Sequence, residues 1–208
     1  MNKKIIIFDM DGVLFDSMGI AQKYFTERHP GVSAAMYQEM YTGNYHEEVK
    51  KYLHLRLSES DEKKIQDQSS YAELKSKAPM FVGVKNLLED LHKLGLILIL
   101  NTSAFVKTTM PLLENAAIET LFDFVATAEI SKSKTEKFNL IAEKYQTNKK
   151  DILFITDSLG DVREADLANI ETIAVTWGIH GREYFSLEAN NNLIGVVDSV
   201  DELRESIY

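Results

Sequence analysis

Two aspartates, Asp9 and Asp11, directly follow the apolar segment 5–8, and Gly12 comes next. Four consecutive apolar residues predict a strand buried on both faces, as found at the centre of a parallel sheet. Side chains two positions apart on an extended segment point the same way, so both carboxylates can face one small site while Gly12 lets the chain turn. An isolated pattern of this kind often only solvates a strand end. The residues that follow the other strands favour a chemical role.

Polar side chains also follow the later apolar runs of the chain. They are Asn101, Thr102 and Ser103 after the run 96–100, Lys132 and Lys134 after the strand near 122–126, and Asp157, Ser158 and Asp161 after the run 152–155. In a doubly wound sheet these strand ends meet beside one crevice. Acids, a hydroxyl and a lysine in one crevice are suited to handling a phosphoryl group together with a hard divalent cation.

Charge suggests a role for each of these groups. A carboxylate that attacks a dianionic phosphate is repelled by it, so a cation and a lysine must neutralise the approach. Asp9, at the very end of its strand, is the better-placed nucleophile. Asp11 lies one step further into the loop, where it can protonate a leaving alkoxide and later deprotonate the hydrolytic water. Asp157 would complete a cation site with Asp9 and a backbone carbonyl, where all-oxygen ligation favours Mg²⁺, while Thr102 and Lys132 would bind phosphate oxygens.

The elements that must position these residues alternate between strand and helix. Apolar runs of strand character are separated by segments of helical spacing, which predicts a doubly wound, parallel, Rossmann-like α/β sheet. A further apolar run at 194–197 precedes a closing helix at 200–207. Residues 17–78 contain no long strand-like run. They predict a small α-helical domain inserted into a core made of 1–16 and 79–208.

Composition limits the classes of function. The 208 residues are 45% hydrophobic, enough for a substantial core, and the net charge of −9 argues against a nucleic-acid partner. Because cysteine is absent, disulfides, thiolate zinc sites and cysteine nucleophiles are excluded. No apolar run approaches the length of a membrane span and the amino-terminal residues do not resemble a signal peptide, so we expect no membrane association and a cytoplasmic location. The acidic surface makes a monomer the simpler expectation.

Four stretches resemble, in order, the four motifs of the haloacid dehalogenase (HAD) superfamily of phosphotransferases. They are residues 9–17, 100–103, 131–138 and 155–161. The resemblance implies a C1-type helical cap in the inserted segment, as in phosphoglycolate-phosphatase-like and β-phosphoglucomutase-like members. It also implies Asp9 as nucleophile, Asp11 as general acid/base, Thr102 as the phosphate-binding hydroxyl, Asp157 as metal ligand and Asp161 as a supporting acid.

The third motif leaves two lysines in competition. Its usual form is Lys-Pro-x-Pro-x-x-Phe, and counting back from Phe138 assigns the lysine to Lys132. Ser133 and Thr135 replace both prolines, so Lys134 remains a competitor. The predicted ligands are Thr102, Ser103, Lys132 and Lys134 for phosphate, and Asp9, Asp11, Asp157 and Asp161 for Mg²⁺.

Together these features predict a Mg²⁺-dependent phosphatase that acts on a small phosphorylated metabolite through phospho-Asp9. A sugar-phosphate mutase would use the same intermediate, and the sequence does not separate the two. A phospho-accepting receiver module is less suited, because it needs neither the helical insertion nor Asp11. The insertion also offers candidate substrate contacts, although such side chains are more often solvated or packed inside a domain: Tyr24, Tyr41, Tyr45, His46 and Lys75.

Overall fold

The computed structural model of the chain describes residues 3–65, 69–186 and 192–208. Its centre is a six-stranded sheet in the order β3-β2-β1-β4-β5-β6, with every pair of neighbours parallel. The strands are β1 (Ile5–Phe8), β2 (Ile97–Asn101), β3 (Phe124–Ala126), β4 (Ile152–Thr156), β5 (Glu171–Val175) and β6 (Leu193–Val197). The predicted doubly wound parallel sheet is confirmed, and the apolar run at 194–197 belongs to its edge strand β6.

Helices occupy both the inserted segment and the two faces of the sheet. In chain order they are α1 (Met18–Arg28), α2 (Ala34–Glu39), α3 (Tyr45–Glu48), α4 (Glu59–Glu62), α5 (Tyr71–Lys75), α6 (Val84–Lys93), α7 (Val106–Ala116), α8 (Lys134–Lys144), α9 (Leu159–Leu167), α10 (Arg182–Ser186) and α11 (Val200–Ile207). None of these described helices is long and apolar enough to cross a bilayer.

Strand β1 shows how the sequence creates two apolar faces. Ile6 and Phe8 pack in one cluster with the inner residues of α6, α7 and α11, whereas Ile5 and Ile7 pack in another with residues of α8 and α9. Successive side chains of a strand point to opposite faces, so an uninterrupted apolar run requires a helical layer on each side. The layered core follows from this requirement.

The order of the strands fixes the place of the site. From β1 the chain moves outward through β2 and β3, and then returns to place β4 on the other side of β1. The strand order therefore reverses between β1 and β4, and ligands of such sheets bind at this point, beyond the carboxyl ends. Asp9 directly follows β1 and Asp157 directly follows β4.

Between β1 and α6 the described elements are helical, namely α1 to α5 with two short 3₁₀ helices, Met40–Thr42 and Val49–Leu55. These helices have an apolar cluster of their own that includes Met18, Tyr37 and Met40. The exact boundaries of the insertion, 17–78, stay a prediction. Ile179, which follows β5, also packs against this cluster, so the insertion and the core share this contact.

The insertion is held to the core by directed hydrogen bonds. The Asn44 amide donates to the Lys132 carbonyl oxygen at 2.9 Å and to Glu164 Oε2 at 3.0 Å. The Gln38 amide donates to the Ile179 carbonyl oxygen at 2.7 Å. The insertion therefore covers the carboxyl ends of the strands.

One glycine allows the closest approach between the insertion and the core. A Cβ atom added at Gly160, in the first turn of α9, would lie 2.1 Å from the carbonyl oxygen of Gly43. Such a distance is far inside van der Waals contact, so the insertion would have to shift. Gly19, in α1, provides a contrast, because a Cβ there would meet no atom within 4 Å.

We expect Gly160→Ala to lower the free energy of unfolding by about 1–2 kcal/mol, since overpacking outweighs the better helix propensity of alanine. Gly19→Ala should raise the same quantity by up to about 1 kcal/mol. Urea unfolding followed by circular dichroism measures both. Equal stabilisation by the two substitutions would contradict the close approach of Gly43 to α9.

Candidate active site

Asp9 lies at the end of β1 with its side chain almost fully buried. Its backbone N–H donates to the Ile155 carbonyl oxygen at 2.9 Å, which continues the pairing with β4 by one residue. Its Oδ1 lies 2.9 Å from Nζ of Lys134, a residue with 1% of its side chain exposed. The predicted nucleophile is therefore fixed in backbone and side chain, and it faces a buried ammonium group.

Asp161 holds that ammonium group from the other side. Lys134 Nζ donates to Asp161 Oδ2 at 2.5 Å, and the hydroxyl of Thr156 donates to the same oxygen at 2.7 Å. Asp161 stands in the first turn of α9, where Ser158 caps the helix by accepting its backbone N–H. Asp161 thus positions the lysine that contacts Asp9.

Burial sets the protonation behaviour of the cluster. It raises the pKa of Asp9 to about 7 against the lowering effect of Lys134. Burial and the charge of Asp9 also raise the pKa of Asp157 well above its usual range. At Asp161 burial acts in the same direction, but the charge and hydrogen bond of Lys134 outweigh it and lower the pKa. At Asp9 and Asp157 the nearby positive charge therefore does not fully offset the effect of burial.

Asp11 is held by two donors from opposite sides. The Ser17 hydroxyl donates to its Oδ1 at 2.5 Å, and Lys75 Nζ donates to its Oδ2 at 2.6 Å. Lys75 belongs to α5 of the insertion, and only 1% of its side chain is exposed. The orientation of the predicted acid/base thus depends on a cation that the insertion supplies.

Asp157 is cradled by backbone. Its Oδ2 accepts the backbone N–H of Ile179 at 2.7 Å. Added Cβ atoms at Gly12 and Gly178 would lie 1.9 Å and 2.1 Å from the same oxygen. Only glycine leaves room for the carboxylate at these two positions, and Gly12, with a φ of +75°, also makes the turn after Asp11.

Thr102 and Ser103 directly follow β2 and lie at the same crevice. Lys137 Nζ donates to the carbonyl oxygen of Thr102 at 2.7 Å, and burial lowers the pKa of Lys137 to about 8. His46 of the insertion contacts the carbonyl oxygen of Ser103 through Nε2 at 3.0 Å. Asn101 precedes them and is fully buried, but it is not among the residues that line the crevice.

The chemistry of the donors fits Mg²⁺ at Asp9 and Asp157. Both side chains supply hard oxygen donors, and burial together with the charge of Asp9 raises the pKa of Asp157. Among the described residues no group of three or more acidic, histidine or cysteine side chains is assembled for a metal. The carboxylates of Asp11 and Asp161, which the sequence also suggested as ligands, are each bound to a lysine.

These residues line one cavity of about 400 Å³, which we call the site cavity. It brings together Asp9, Asp11, Thr102, Ser103, Lys134, Asp157 and Asp161. Lys132 is not among its lining residues; it is exposed, and its carbonyl oxygen accepts a hydrogen bond from Asn44. Lys134 thus occupies the place that motif counting gave to Lys132.

A local network explains this register. The Ser133 hydroxyl donates to Glu164 Oε1 at 3.1 Å, and the Thr135 hydroxyl donates to the carbonyl oxygen of Glu164 at 2.8 Å. Ser133 also caps α8, which therefore begins at Lys134 and aims that side chain at Asp9. The two hydroxyl residues that replace the motif prolines are the local signal for the shift.

Two buried lysines have structural roles that the sequence did not predict. The sequence suggests Lys75 only as a candidate substrate contact, and it suggests no role for Lys137. The partner of Lys75 is 64 residues away in the sequence and that of Lys137 is 35 residues away. A pattern of neighbouring residues in the sequence does not predict contacts over such separations.

Known proteins resemble this chain over most of its length. A family model described as haloacid dehalogenase-like hydrolase matches residues 6–175. Phosphoglycolate phosphatase from Vibrio cholerae is 27% identical over 204 residues, covering 89% of this chain and 90% of that protein. Phosphoglycolate phosphatase from Vibrio parahaemolyticus is 24% identical over 222 residues, covering 98% and 96%.

Solved structures show the same fold. A haloacid dehalogenase-like hydrolase from Streptococcus pneumoniae superposes with a TM-score of 0.78 at 20% identity, covering 100% of this chain and 99% of that one. CbbY from Rhodobacter sphaeroides, in complex with phosphate, superposes with a TM-score of 0.73 at 18% identity, covering 97% and 96%.

The resemblance first noted in four short motifs thus extends over most of the chain, and the match includes β1 to β5. The prediction of a hydrolytic enzyme is confirmed at the level of the family, and relatives that are phosphatases are consistent with a phosphoric monoester hydrolase. The chain belongs to the haloacid dehalogenase-like hydrolase family.

Proposed function

We propose that this protein is a Mg²⁺-dependent phosphatase that hydrolyses a small phosphomonoester through a phosphorylated Asp9. The observation that carries the proposal is the arrangement at the floor of the site cavity. There Asp9 Oδ1 lies 2.9 Å from Lys134 Nζ, with Asp11 and Thr102 on the same lining. The phosphatases among the relatives support this reaction class.

In the first step an oxygen of Asp9 attacks phosphorus and the ester oxygen leaves. Lys134 lies beside the attacking carboxylate and reduces the repulsion between it and the phosphate. The hydroxyl of Thr102 is available to bind a phosphate oxygen, as is the adjoining Ser103. Lys137 fixes the backbone that presents both residues.

Asp11 serves both steps of the reaction. It protonates the departing alkoxide, and it then removes a proton from the water that hydrolyses phospho-Asp9. Ser17 and Lys75 bind its two oxygens and so fix the direction in which the proton moves. Since Lys75 comes from the insertion, Asp11 is oriented only when the insertion covers the site.

Asp9 and Asp157 would hold Mg²⁺, which supplies positive charge to the phosphate when bound. The insertion excludes bulk water from the cavity. We further propose that the protein works as a cytoplasmic monomer on a small phosphorylated metabolite, with neither nucleic acid nor membrane as a partner.

Asp9→Asn should lower phosphate release by at least about 10⁴-fold, because the nucleophile is lost. A panel of phosphomonoesters that includes an aryl phosphate measures the effect. Chelation should silence the wild type, and added Mg²⁺ should restore it. Activity retained in Asp9→Asn would contradict the nucleophile, whereas phosphoryl transfer between sugar phosphates would indicate a mutase.

Lys134→Met and Lys132→Met form a matched pair that tests the shifted motif. We expect Lys134→Met to lower kcat/KM by on the order of 10²–10³-fold, since the buried positive charge beside Asp9 is removed. Lys132→Met removes an exposed charge and should change kcat/KM less than about threefold. Circular dichroism checks that both variants fold. A larger loss of kcat/KM in Lys132→Met than in Lys134→Met would show that Lys132 is the lysine that acts on the phosphate.

Lys75→Met tests whether the insertion positions Asp11. For an alkyl phosphate, whose leaving group needs a proton, we expect kcat/KM to fall by at least about tenfold. For 4-nitrophenyl phosphate, whose leaving group departs unprotonated, the loss should be clearly smaller. Lys77→Met, at an exposed position just beyond α5, is the control and should behave as the wild type. Equal losses on both substrates would show that Lys75 acts on binding or folding instead.

A further inference from the structure

The lining of the site cavity has two parts of different chemistry. One part consists of the aspartates, lysines and hydroxyls that would handle a phosphoryl group. The other includes five tyrosines of the insertion, which we call the tyrosine wall: Tyr24, Tyr37, Tyr41, Tyr45 and Tyr71. Phe25 and Phe105 extend this surface. The proposed mechanism uses none of these side chains.

The wall is a preformed aromatic surface. Tyr41 and Tyr45 stack with ring centroids 4.8 Å apart, and Tyr37 meets Tyr41 edge-on at 5.5 Å. The hydroxyls of Tyr37 and Tyr41 are hydrogen-bonded at 2.9 Å, and the rings of Tyr24 and Tyr71 lie 5.2 Å apart. Rings that support one another in this way lose little freedom when a ligand binds.

The hydroxyls of the wall are uncharged, although Arg28 lies 3.5 Å from the centroid of the Tyr24 ring and Lys75 Nζ lies 5.7 Å from that of the Tyr71 ring. Burial raises the pKa of Tyr37, Tyr41 and Tyr71 well above that of an ordinary phenol, so their hydroxyls stay protonated. Burial lowers the pKa of His46, the imidazole that lines the same side, and this favours its neutral form. A ligand group that reaches the wall therefore meets aromatic rings and neutral hydroxyls.

The buried cations of the cavity are already engaged. Lys75 is paired with Asp11, and Lys134 is paired with Asp9 and Asp161. Among the described lining residues the one other lysine is Lys107, which is exposed. A second anionic group on the substrate, such as a carboxylate, would therefore lie between neutral rings without a buried partner.

We propose that the substrate is a phosphomonoester of an uncharged alcohol that bears an aromatic or similarly extended apolar group, and that this group packs on the tyrosine wall. This inference rests on the proposed function and names its substrate class. In the reaction an oxygen of Asp9 bonds to phosphorus as the P–O bond to the alcohol breaks, and the alcohol leaves with a proton from Asp11. Water then gives a proton to Asp11 and bonds to phosphorus, and the P–O bond to Asp9 breaks to release phosphate. A cavity of about 400 Å³ is within the size range of small-molecule sites.

The test compares phosphate esters that all have alkoxide leaving groups: benzyl phosphate, ethyl phosphate, 2-phosphoglycolate and phosphocholine. All assays contain Mg²⁺, and the rate of Asp9→Asn is subtracted as the background. For the wild type we expect kcat/KM for benzyl phosphate to exceed that for ethyl phosphate by about tenfold or more. 2-Phosphoglycolate should not exceed ethyl phosphate. Preference for 2-phosphoglycolate or phosphocholine over benzyl phosphate would overturn the inference and leave the phosphatase intact. Phosphate release from none of the panel would contradict the proposed function, and the inference would fall with it.

Matched variants assign the preference to the wall. Tyr45→Leu should lower the ratio of kcat/KM for benzyl over ethyl phosphate by at least about threefold, because an aromatic contact is lost. Tyr52→Leu, in the same insertion but outside the cavity lining, should leave that ratio unchanged. If both variants keep the wild-type ratio, the wall does not select the substrate. If Tyr45→Leu fails to fold by circular dichroism, the wild-type ratio still decides the matter.

Discussion

The ammonium group of Lys134, shared by two buried carboxylates, is the interaction on which the site depends. Asp9 and Asp161 follow different strands, and both would carry charge in a region from which solvent is nearly absent. Such charges are tolerated only when they are paired and hydrogen-bonded. The start of α8 delivers the lysine, and the start of α9 delivers Asp161. The positions of both helices are thus coupled to the electrostatics of the cluster.

A similar coupling joins the insertion to the chemistry. Asp11 belongs to the core, whereas its partner Lys75 belongs to α5. Gly43 approaches Gly160, and Asn44 bonds both to the backbone before α8 and to Glu164 in α9. The segment that orients the proposed acid/base is therefore also the segment that closes the cavity. In the proposed mechanism the same segment would therefore both exclude water and align the proton donor.

Much of this architecture was predictable because it depends on local patterns. Apolar runs give strands, parallel strands bring their carboxyl ends together, and Asp9 and Asp157 therefore meet. The motif lysine was not predictable by counting, because the contacts of Ser133 with Glu164 join residues 31 positions apart. The same limit hid Lys75. Counting along the motif works only when the backbone conformation of the motif is conserved. Here Ser133 and Thr135 occupy the positions of its two prolines.

The ion pair between Asp11 and Lys75 limits how the insertion can be exchanged between related proteins. A chimaera that joins this core to a different helical insertion would keep the proposed nucleophile Asp9, the proposed cation ligand Asp157 and Lys134, which all lie outside 17–78. In that chimaera the carboxylate of Asp11, at the boundary between core and insertion, would lack the positive charge of Lys75. A different insertion is therefore compatible with this core only if it also places a cation beside Asp11, however well its helices pack.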